Sequence, residues 1–121
     1  MNSSALGFLY VTAYAFLNSA ALCEAGDGPV DALVDVVGSR LPGMPAAFGK
    51  YARMIEARTY DDYGLGLTNG AENLLAILDY GAIAGVDTSL FASAHRSFES
   101  AKSSGHGPNL AAVFETLPPA G

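Results

Sequence analysis

The chain has 121 residues, of which half are apolar and only 15% are charged, and 12 acidic against six basic residues give a net charge of −6. The basic residues are scattered from Arg40 to Lys102, so the charge pattern disfavours nucleic acid and anionic membranes as partners. This length suits one domain with a core of moderate size. The high apolar share predicts a surface for self-association.

The first stretch, Asn2 to Cys23, contains no charged residue and predicts one long helix that is apolar on nearly every side. Tyr10, Tyr14 and Asn18 lie four residues apart and place three polar tips on one stripe of this helix. Another stripe is apolar: Leu6, Leu9, Ala13, Phe16, Leu17 and Ala20. We therefore expect a long, buried N-terminal helix that shorter helices wrap, with a second subunit as a further cover.

A membrane span or a secretory signal is the rival interpretation of the same stretch. Its length is close to the ~20 residues that a span needs. However, polar residues such as Thr12 and Ser19 dilute it, and no Lys or Arg flanks either end to set an orientation. A signal peptide also needs a positive start, which is missing here. A core helix and no membrane association are favoured.

The remaining chain predicts a series of helices separated by glycine and proline. No segment alternates with period two over the length of a strand. We expect a single all-α domain over residues 1–121 with about six helices. After the first helix these are Pro29 to Leu41, Ala46 to Arg58, Thr68 to Ala84, a helix capped by Asp87 or Thr88 and ending near Ser104, and Asn109 to Leu117.

Two motifs suggest a cofactor or metal site, but their context argues against both. Residues 64–70, GLGLTNG, have Asn69 where the dinucleotide fingerprint needs Gly, and no strand precedes them. Asp61 and Asp62 have no His or Cys near them at ligand spacing. The sequence predicts neither a dinucleotide loop nor a metal site.

The histidines and the cysteine are expected to be structural. His95 has only Glu99, four residues later, as a nearby partner, and His106 lies between two glycines. Cys23 is the single cysteine, so an internal disulfide is excluded and a reducing compartment, the cytoplasm, is favoured. Tyr10, Tyr14 and Asn18 remain the best candidates for the wall of a site, with ring packing in a core as the alternative.

Several stretches together resemble one known family. They are the opening N-S-S-A-L-G-F-L-Y, running into A-F-L-N-S-A-A-L, then M-I-E-A-R-T-Y, A-G-V-D, A-K-S-S-G-H-G and A-A-V-F-E-T-L. This pattern is similar to the helical C-terminal domain of NADPH-dependent imine reductases and reductive aminases, which are relatives of the β-hydroxyacid dehydrogenases. The resemblance extends from Asn2 to Leu117.

The resemblance implies an arrangement of domains and a set of site residues. In that family a Rossmann domain precedes the helical domain, two chains interlock as a dimer, and the substrate lies in the cleft between the domains. The family's proton-donating or substrate-orienting residue matches Asn2, and a bulky aromatic residue matches Tyr10. Polar positions on the fourth helix match Asn69 and Asn73. We expect Asn2 and Tyr10 to be catalytic, and Tyr14, Asn69 and Asn73 to bind substrate.

The chain departs from the family in two respects. The Rossmann half is missing from these 121 residues, so we expect no cofactor in this chain and NADPH only where a Rossmann domain is supplied. Asn2 is an amide and has no proton to release near neutral pH, so a carboxylate's acid role does not carry over to it. An amide can still hold an imine through hydrogen bonds.

Three functions are consistent with the sequence. The first is a dimerisation and substrate-cleft domain of an imine reductase-like oxidoreductase, either as a fragment or as one subunit of a split enzyme. The second is a stand-alone, cofactor-independent biosynthetic enzyme for cyclisation or iminium-type chemistry, with Tyr or Asp as general acid or base. The third is a non-catalytic dimeric module that binds a small hydrophobic molecule. Fold analogy alone does not separate them.

Overall fold

The computed structural model describes residues 2–64 and 66–117, and these residues form an all-α fold, as the sequence predicted. Met1 and residues 118–121 of the predicted domain lie outside the described residues. Two 3-10 helices, Leu41–Gly43 and Leu110–Thr116, accompany the α-helices, and the second replaces the sixth predicted helix. The described α-helices are α1 (Ser3–Ala25), α2 (Val30–Arg40), α3 (Met44–Ala57), α4 (Leu67–Ala84) and α5 (Ser89–Ser104).

Side chains next to two helix starts satisfy backbone N–H groups that the helix itself leaves without a partner. Asn2 precedes α1, and its Oδ1 accepts a hydrogen bond from the N–H of Ala5 at 2.9 Å. Asp87 acts in the same way before α5, because its Oδ1 accepts from the N–H of Ser89 at 2.8 Å. The predicted capping of α5 by Asp87 or Thr88 is thus achieved by the Asp87 carboxylate.

Residues in the left-handed conformation terminate three of the helices. Gly85 ends α4 with φ of 71°, and Gly105 ends α5 with φ of 74°. Glycine adopts this conformation without the steric cost of a Cβ atom. Arg58 ends α3 with φ of 54°, a value that is uncommon for a residue with a side chain.

The buried core lies in the C-terminal half of the chain. Tyr60, which follows α3, and Leu67 at the start of α4 are its largest fully buried side chains. Ala101, Ala111 and Ala112 complete the buried cluster, and five half-buried residues pack against it: Tyr51, Met54, Ile55, Phe98 and Val113. The first two turns of α4, the end of α5 and the terminal 3-10 helix therefore meet around one aromatic ring.

The long helix α1 does not lie in this core. None of its residues is buried, and large apolar side chains such as Phe8 and Leu17 are exposed. The prediction of a buried helix wrapped by shorter ones is therefore wrong for the single chain, because α3, α4 and α5 assemble their own core beside it. By length and composition alone, α1 is the one helix of the described residues that could cross a membrane.

Three contacts join α1 to α3, to α4 and to the segment between α4 and α5. The Asn18 side chain donates from Nδ2 to the carbonyl oxygen of Asp87 at 2.8 Å. Near the end of α1, the Tyr80 hydroxyl donates to the carbonyl oxygen of Leu22 at 3.0 Å. Near the start, the rings of Phe8 and Phe48 meet edge to face with centroids 5.7 Å apart. These contacts orient α1 while leaving most of its apolar surface uncovered.

Candidate functional site

Tyr10 and Tyr14 of α1 line an open cavity of ≈ 480 Å³, which we call the tyrosine cavity. Val11 completes the wall from α1, and Ser89 and Leu90 form the opposite wall from the first turn of α5. Tyr10 is 74% exposed, so its hydroxyl is accessible to a ligand. The structure thus brings two of the predicted site residues together around one cavity.

A second cavity of ≈ 300 Å³ adjoins the first, and Tyr14 lines both. Asn18 and Asp87 also line this second cavity, side by side, and are joined by the hydrogen bond described above. Asp87 also accepts a hydrogen bond from the Ser89 hydroxyl at 2.6 Å. The bond from this hydroxyl, followed by the bond from the Ser89 N–H, holds the pKa of the Asp87 carboxyl below its usual value. An ionised Asp87 therefore fixes Ser89 in the wall of the tyrosine cavity.

Asn2 lies outside the residues that line the tyrosine cavity. It precedes Tyr10 by eight residues, which corresponds to about 12 Å along a helix axis. Its amide oxygen is engaged as the cap of α1, and its amide nitrogen donates no hydrogen bond within residues 2–64 and 66–117. In the single chain, Asn2 therefore has a structural role that the sequence analysis did not foresee.

Asn69 and Asn73 are not brought to the tyrosine cavity in the single chain. Both are exposed on α4, and neither lines a described cavity. They belong to the first half of α4, whereas α1 meets the second half, where Tyr80 contacts Leu22. Of the five predicted site residues, Tyr10 and Tyr14 thus line the cavity, and Asn2, Asn69 and Asn73 do not.

Ser89 and Leu90 are the site residues that the sequence analysis missed. No motif in the sequence marks either residue. The one sequence signal that points to them is the predicted cap at Asp87, because a capping residue marks the residues after it as the first turn of a helix. The sequence does not indicate that α1 passes over the first turn of α5.

A further polar cluster lies beside the core and stabilises the fold. The buried hydroxyl of Tyr60 donates to Glu115 Oε1 at 2.6 Å, and Arg58 Nη1 lies 3.2 Å from the same oxygen. Burial, followed by this hydrogen bond, raises the pKa of Tyr60. The bond from Tyr60 is the main reason that the pKa of Glu115 is lowered. Tyr60 is inaccessible to a ligand.

The smallest of the described cavities, ≈ 230 Å³, lies between α3 and the segment after it. Tyr51, Lys50 and Asp62 line it, and burial raises the pKa of the Tyr51 hydroxyl. Asp62 is already engaged, because its Oδ1 accepts from the N–H of Gly64 at 2.8 Å. This cavity contains none of the predicted site residues.

The remaining candidates have ordinary local partners. His95 Nε2 lies 3.6 Å from Glu99 Oε1, one turn away on α5. Cys23 Sγ lies 3.5 Å from the carbonyl oxygen of Pro29. Across residues 2–64 and 66–117, no three His, Cys, Asp or Glu side chains are grouped so that they could hold a metal ion.

Comparisons with known proteins identify the fold. The imine reductase from Myxococcus stipitatus in complex with NADP+ is 16% identical and superposes with a TM-score of 0.86, over 96% of this chain and 44% of the reductase. The reductive aminase from Aspergillus terreus in complex with NADPH and ethyl-5-oxohexanoate is 18% identical, with a TM-score of 0.85 over 95% of this chain and 41% of the aminase. The chain thus spans less than half the length of these solved relatives.

The imine reductase of Streptomyces aurantiacus has the same fold, with a TM-score of 0.82 at 17% identity over 95% of this chain and 40% of that protein. No curated protein matches the sequence. The sequence profile of the NADPH-dependent reductive aminase-like C-terminal domain, however, matches residues 1–118. The chain belongs to the NADPH-dependent reductive aminase-like C-terminal domain family.

Proposed function

We propose that the chain is the dimerisation and substrate-cleft half of an imine reductase-like oxidoreductase, whose dinucleotide-binding half is supplied elsewhere. The observation that carries the proposal is the tyrosine cavity, which presents the exposed Tyr10 and Tyr14 on a fold shared with imine reductases. The family profile over residues 1–118 supports the same assignment. The proposed location is the cytoplasm, in keeping with the single free thiol of Cys23.

The proposed dimer follows from the surface of α1. A groove of ≈ 660 Å³ lies between α1 and α2 and is almost entirely apolar; we call it the α1–α2 groove. Leu9, Phe16 and Leu17 of α1 line it together with Val37 and Leu41. Uncovered apolar surface of this extent is typical of an interface. A second copy of the chain is the proposed cover, and with it the two halves of the site come together.

In this proposal the site combines residues of two chains. Tyr10 and Tyr14 of one chain form an aromatic wall, with the Tyr10 hydroxyl as hydrogen-bond donor to the nitrogen or oxygen of the substrate. Asn69 and Asn73 approach from the second chain, because within one chain both are exposed on α4 and do not line the tyrosine cavity. The Asn2 amide nitrogen is a further donor to the substrate. The substrate class is a small hydrophobic ketone or imine.

The glycine-rich segment of this chain does not fit the phosphate-binding loop of a dinucleotide site. A phosphate-binding loop of the Rossmann type requires a strand immediately before its glycines, and residues 61–63, which precede the glycine-rich segment, are not a strand. NADPH therefore belongs, in this proposal, to a Rossmann domain outside these residues. The residues of this chain bind and orient the substrate, and the cofactor's chemistry is not assigned to them.

Reconstitution with a Rossmann domain tests the proposal. The chain is mixed with the separately produced Rossmann domain of the Aspergillus terreus reductive aminase, a protein whose solved complex contains cyclohexanone and allyl amine. Consumption of NADPH with these two compounds, together with formation of the coupled amine, is the expected result. The Tyr10→Phe and Tyr14→Phe variants should each reduce turnover. The experiment is repeated with the Rossmann domain whose gene lies nearest to the gene of this chain. If the chain associates with neither Rossmann domain, the proposal is contradicted.

A cofactor-independent enzyme is the second candidate, and one observation favours it. The tyrosine cavity is formed by α1 and α5 of a single chain, so it does not require a nucleotide domain. Cyclisation or iminium-type bond formation with Tyr10 as general acid is the chemistry it would support. Turnover of an amine and ketone pair by the dimer alone, without NADPH, would favour this candidate. Binding of the ketone without turnover, both with the Rossmann domain and NADPH and without them, would favour a non-catalytic binding module.

A further inference from the structure

We infer that Asn18 is a positioning residue, which sets the distance between the two walls of the tyrosine cavity. This inference deepens the proposed function, and it rests on that function only for the claim that the cavity binds a substrate. Asn18 itself does not line the tyrosine cavity. It acts through the contact between α1 and the segment that joins α4 to α5.

The first wall of the cavity is directly coupled to Asn18. Tyr14 precedes Asn18 by four residues, so the two side chains lie on one stripe of α1. They also line the same adjoining cavity of ≈ 300 Å³ together with Asp87. The Asn18 Nδ2 donates to the backbone carbonyl of Asp87 at 2.8 Å across 69 residues of sequence. The point at which α1 is held thus lies one helical turn from Tyr14.

The second wall is coupled to the same residue, Asp87. Asp87 Oδ1 accepts from both the N–H and the hydroxyl of Ser89, at 2.8 and 2.6 Å. Ser89 and the neighbouring Leu90 are the residues of α5 that line the tyrosine cavity. Asp87 therefore links Asn18, through its backbone carbonyl, to Ser89, through its side-chain carboxylate. The positions of both walls therefore depend on the contact between Asn18 and Asp87.

Few other interactions can replace this coupling. No residue of α1 is buried. The ring contact between Phe8 and Phe48 lies near the start of α1, before Tyr10, and the contacts with α2 do not involve α5. Among the described residues, the other hydrogen bond between α1 and the region from α4 to α5 is the one that the Tyr80 hydroxyl donates to the Leu22 carbonyl. Leu22 lies eight residues, more than two turns, beyond Tyr14. Tyr80→Phe is therefore a matched control, because it removes one hydrogen bond from α1 far from the cavity.

The test compares three variants by nuclear magnetic resonance, with labelled tyrosine rings and leucine methyl groups. Asn18→Asp keeps the shape of the side chain but removes the donor and places a carboxylate against the Asp87 carbonyl. Asn18→Gln retains a carboxamide donor on a longer stem, and Tyr80→Phe is the control. The readouts are the cross-relaxation between Tyr14 and Leu90, and the affinity for cyclohexanone titrated as the probe. Signals of Tyr60 and Leu67 report whether the core remains intact.

We expect Asn18→Asp to lose the signal between Tyr14 and Leu90 and to bind cyclohexanone about fivefold to tenfold more weakly, the size expected for one lost hydrogen bond. Asn18→Gln should recover part of both, and Tyr80→Phe should change neither. An unchanged signal in Asn18→Asp, or an equal loss in Tyr80→Phe, would overturn the inference. If the unaltered chain does not bind the probe but Asn18→Asp still loses the signal, the positioning role is supported and the proposed substrate role of the cavity is contradicted.

Discussion

The Tyr60 hydroxyl donates a hydrogen bond to Glu115 Oε1 at 2.6 Å, across 55 residues of sequence. This bond joins the segment after α3 to the terminal 3-10 helix, above the buried core. Arg58 adds a contact to the same carboxylate, and its guanidinium lies 5.0 Å from the centre of the Phe114 ring. The motif M-I-E-A-R-T-Y therefore contributes to folding: its last residue fills the core, and its arginine and tyrosine hold the C-terminal segment.

Truncation of Tyr60 should destabilise the domain strongly. Its side chain is only 1% exposed, and removing a buried aromatic ring costs about 3–5 kcal/mol. Tyr60→Ala should lower the free energy of unfolding by that amount. Tyr60→Phe keeps the ring and loses only the hydrogen bond, so its loss should be clearly smaller. Urea unfolding followed by circular dichroism provides both values, and equal losses for the two variants would contradict this division.

Stability should decrease in acid through Glu115 and Asp87. Both carboxyl groups have a lowered pKa in the folded chain, so the unfolded chain binds more protons as the pH falls. Each group stabilises the folded chain fully above the pKa that it has in the unfolded chain, about 4.3 for Glu115 and about 3.9 for Asp87. This stabilisation is lost as the pH falls below those values and through the lower, folded pKa of each group.

This pH dependence is measured by urea unfolding between about pH 7 and pH 3, across the window that the unfolded values define. Glu115→Gln cannot titrate, so its unfolding free energy should fall less steeply below about pH 5 than that of the unaltered chain. Glu99→Gln is a suitable control, because Glu99 is a surface carboxylate paired only with its own helix. Parallel curves for all three proteins would contradict the role of Glu115.

The sequence predicted the fold well because the helix signals are local. Glycine and proline mark the breaks, and the predicted bounds of the fourth helix, Thr68 to Ala84, differ from α4 by one residue. The terminal segment was harder to predict, because Asn109 is used in tertiary contacts. Its Oδ1 accepts from the N–H of Ala111, while its Nδ2 donates to the carbonyl oxygen of Asp62 at 2.8 Å. The segment continues as a 3-10 helix.

The burial of α1 and the composition of the site could not be predicted in the same way. Hydrophobic stripes indicate that a helix needs a cover, but they do not identify whether the same chain provides it. Here the chain's own core forms around Tyr60 and leaves α1 exposed. Similarly, Tyr10 and Tyr14 could be recognised from their spacing, whereas Leu90 joins them only through the tertiary crossing of α1 and α5.

A substitution at Gly107 should be more harmful than one at Gly105. Both residues have positive φ, 147° and 74°. A Cβ atom at Gly105 would meet open space, but one at Gly107 would collide with the carbonyl group of Tyr60. Gly105→Ala should cost about 1–2 kcal/mol for its left-handed conformation alone. Gly107→Ala should cost more, because the backbone that carries Tyr60 must also shift. Equal costs in thermal unfolding would contradict the close approach of these two segments.

A charge in the α1–α2 groove should disrupt the proposed dimer without unfolding the chain. Leu17 lines this groove and is 66% exposed in the single chain, so Leu17→Asp leaves the core unchanged. In a symmetric dimer the substitution occurs twice, and each copy removes about 1.5–3 kcal/mol of apolar burial. The dissociation constant of the dimer should therefore rise at least about a hundredfold.

Leu117→Asp is the matched control for this experiment. Leu117 is almost equally exposed, at 63%, but does not line the α1–α2 groove. Sedimentation velocity over a dilution series should show dimers for the unaltered chain and the control, and monomers for Leu17→Asp at the same concentrations. Unchanged far-ultraviolet circular dichroism must accompany the dissociation. If the unaltered chain is monomeric at all concentrations, self-association through this groove is excluded. Only the groove variant introduces its carboxylate into the proposed interface, so equal dissociation of both variants would show that added charge, and not the groove, causes the effect.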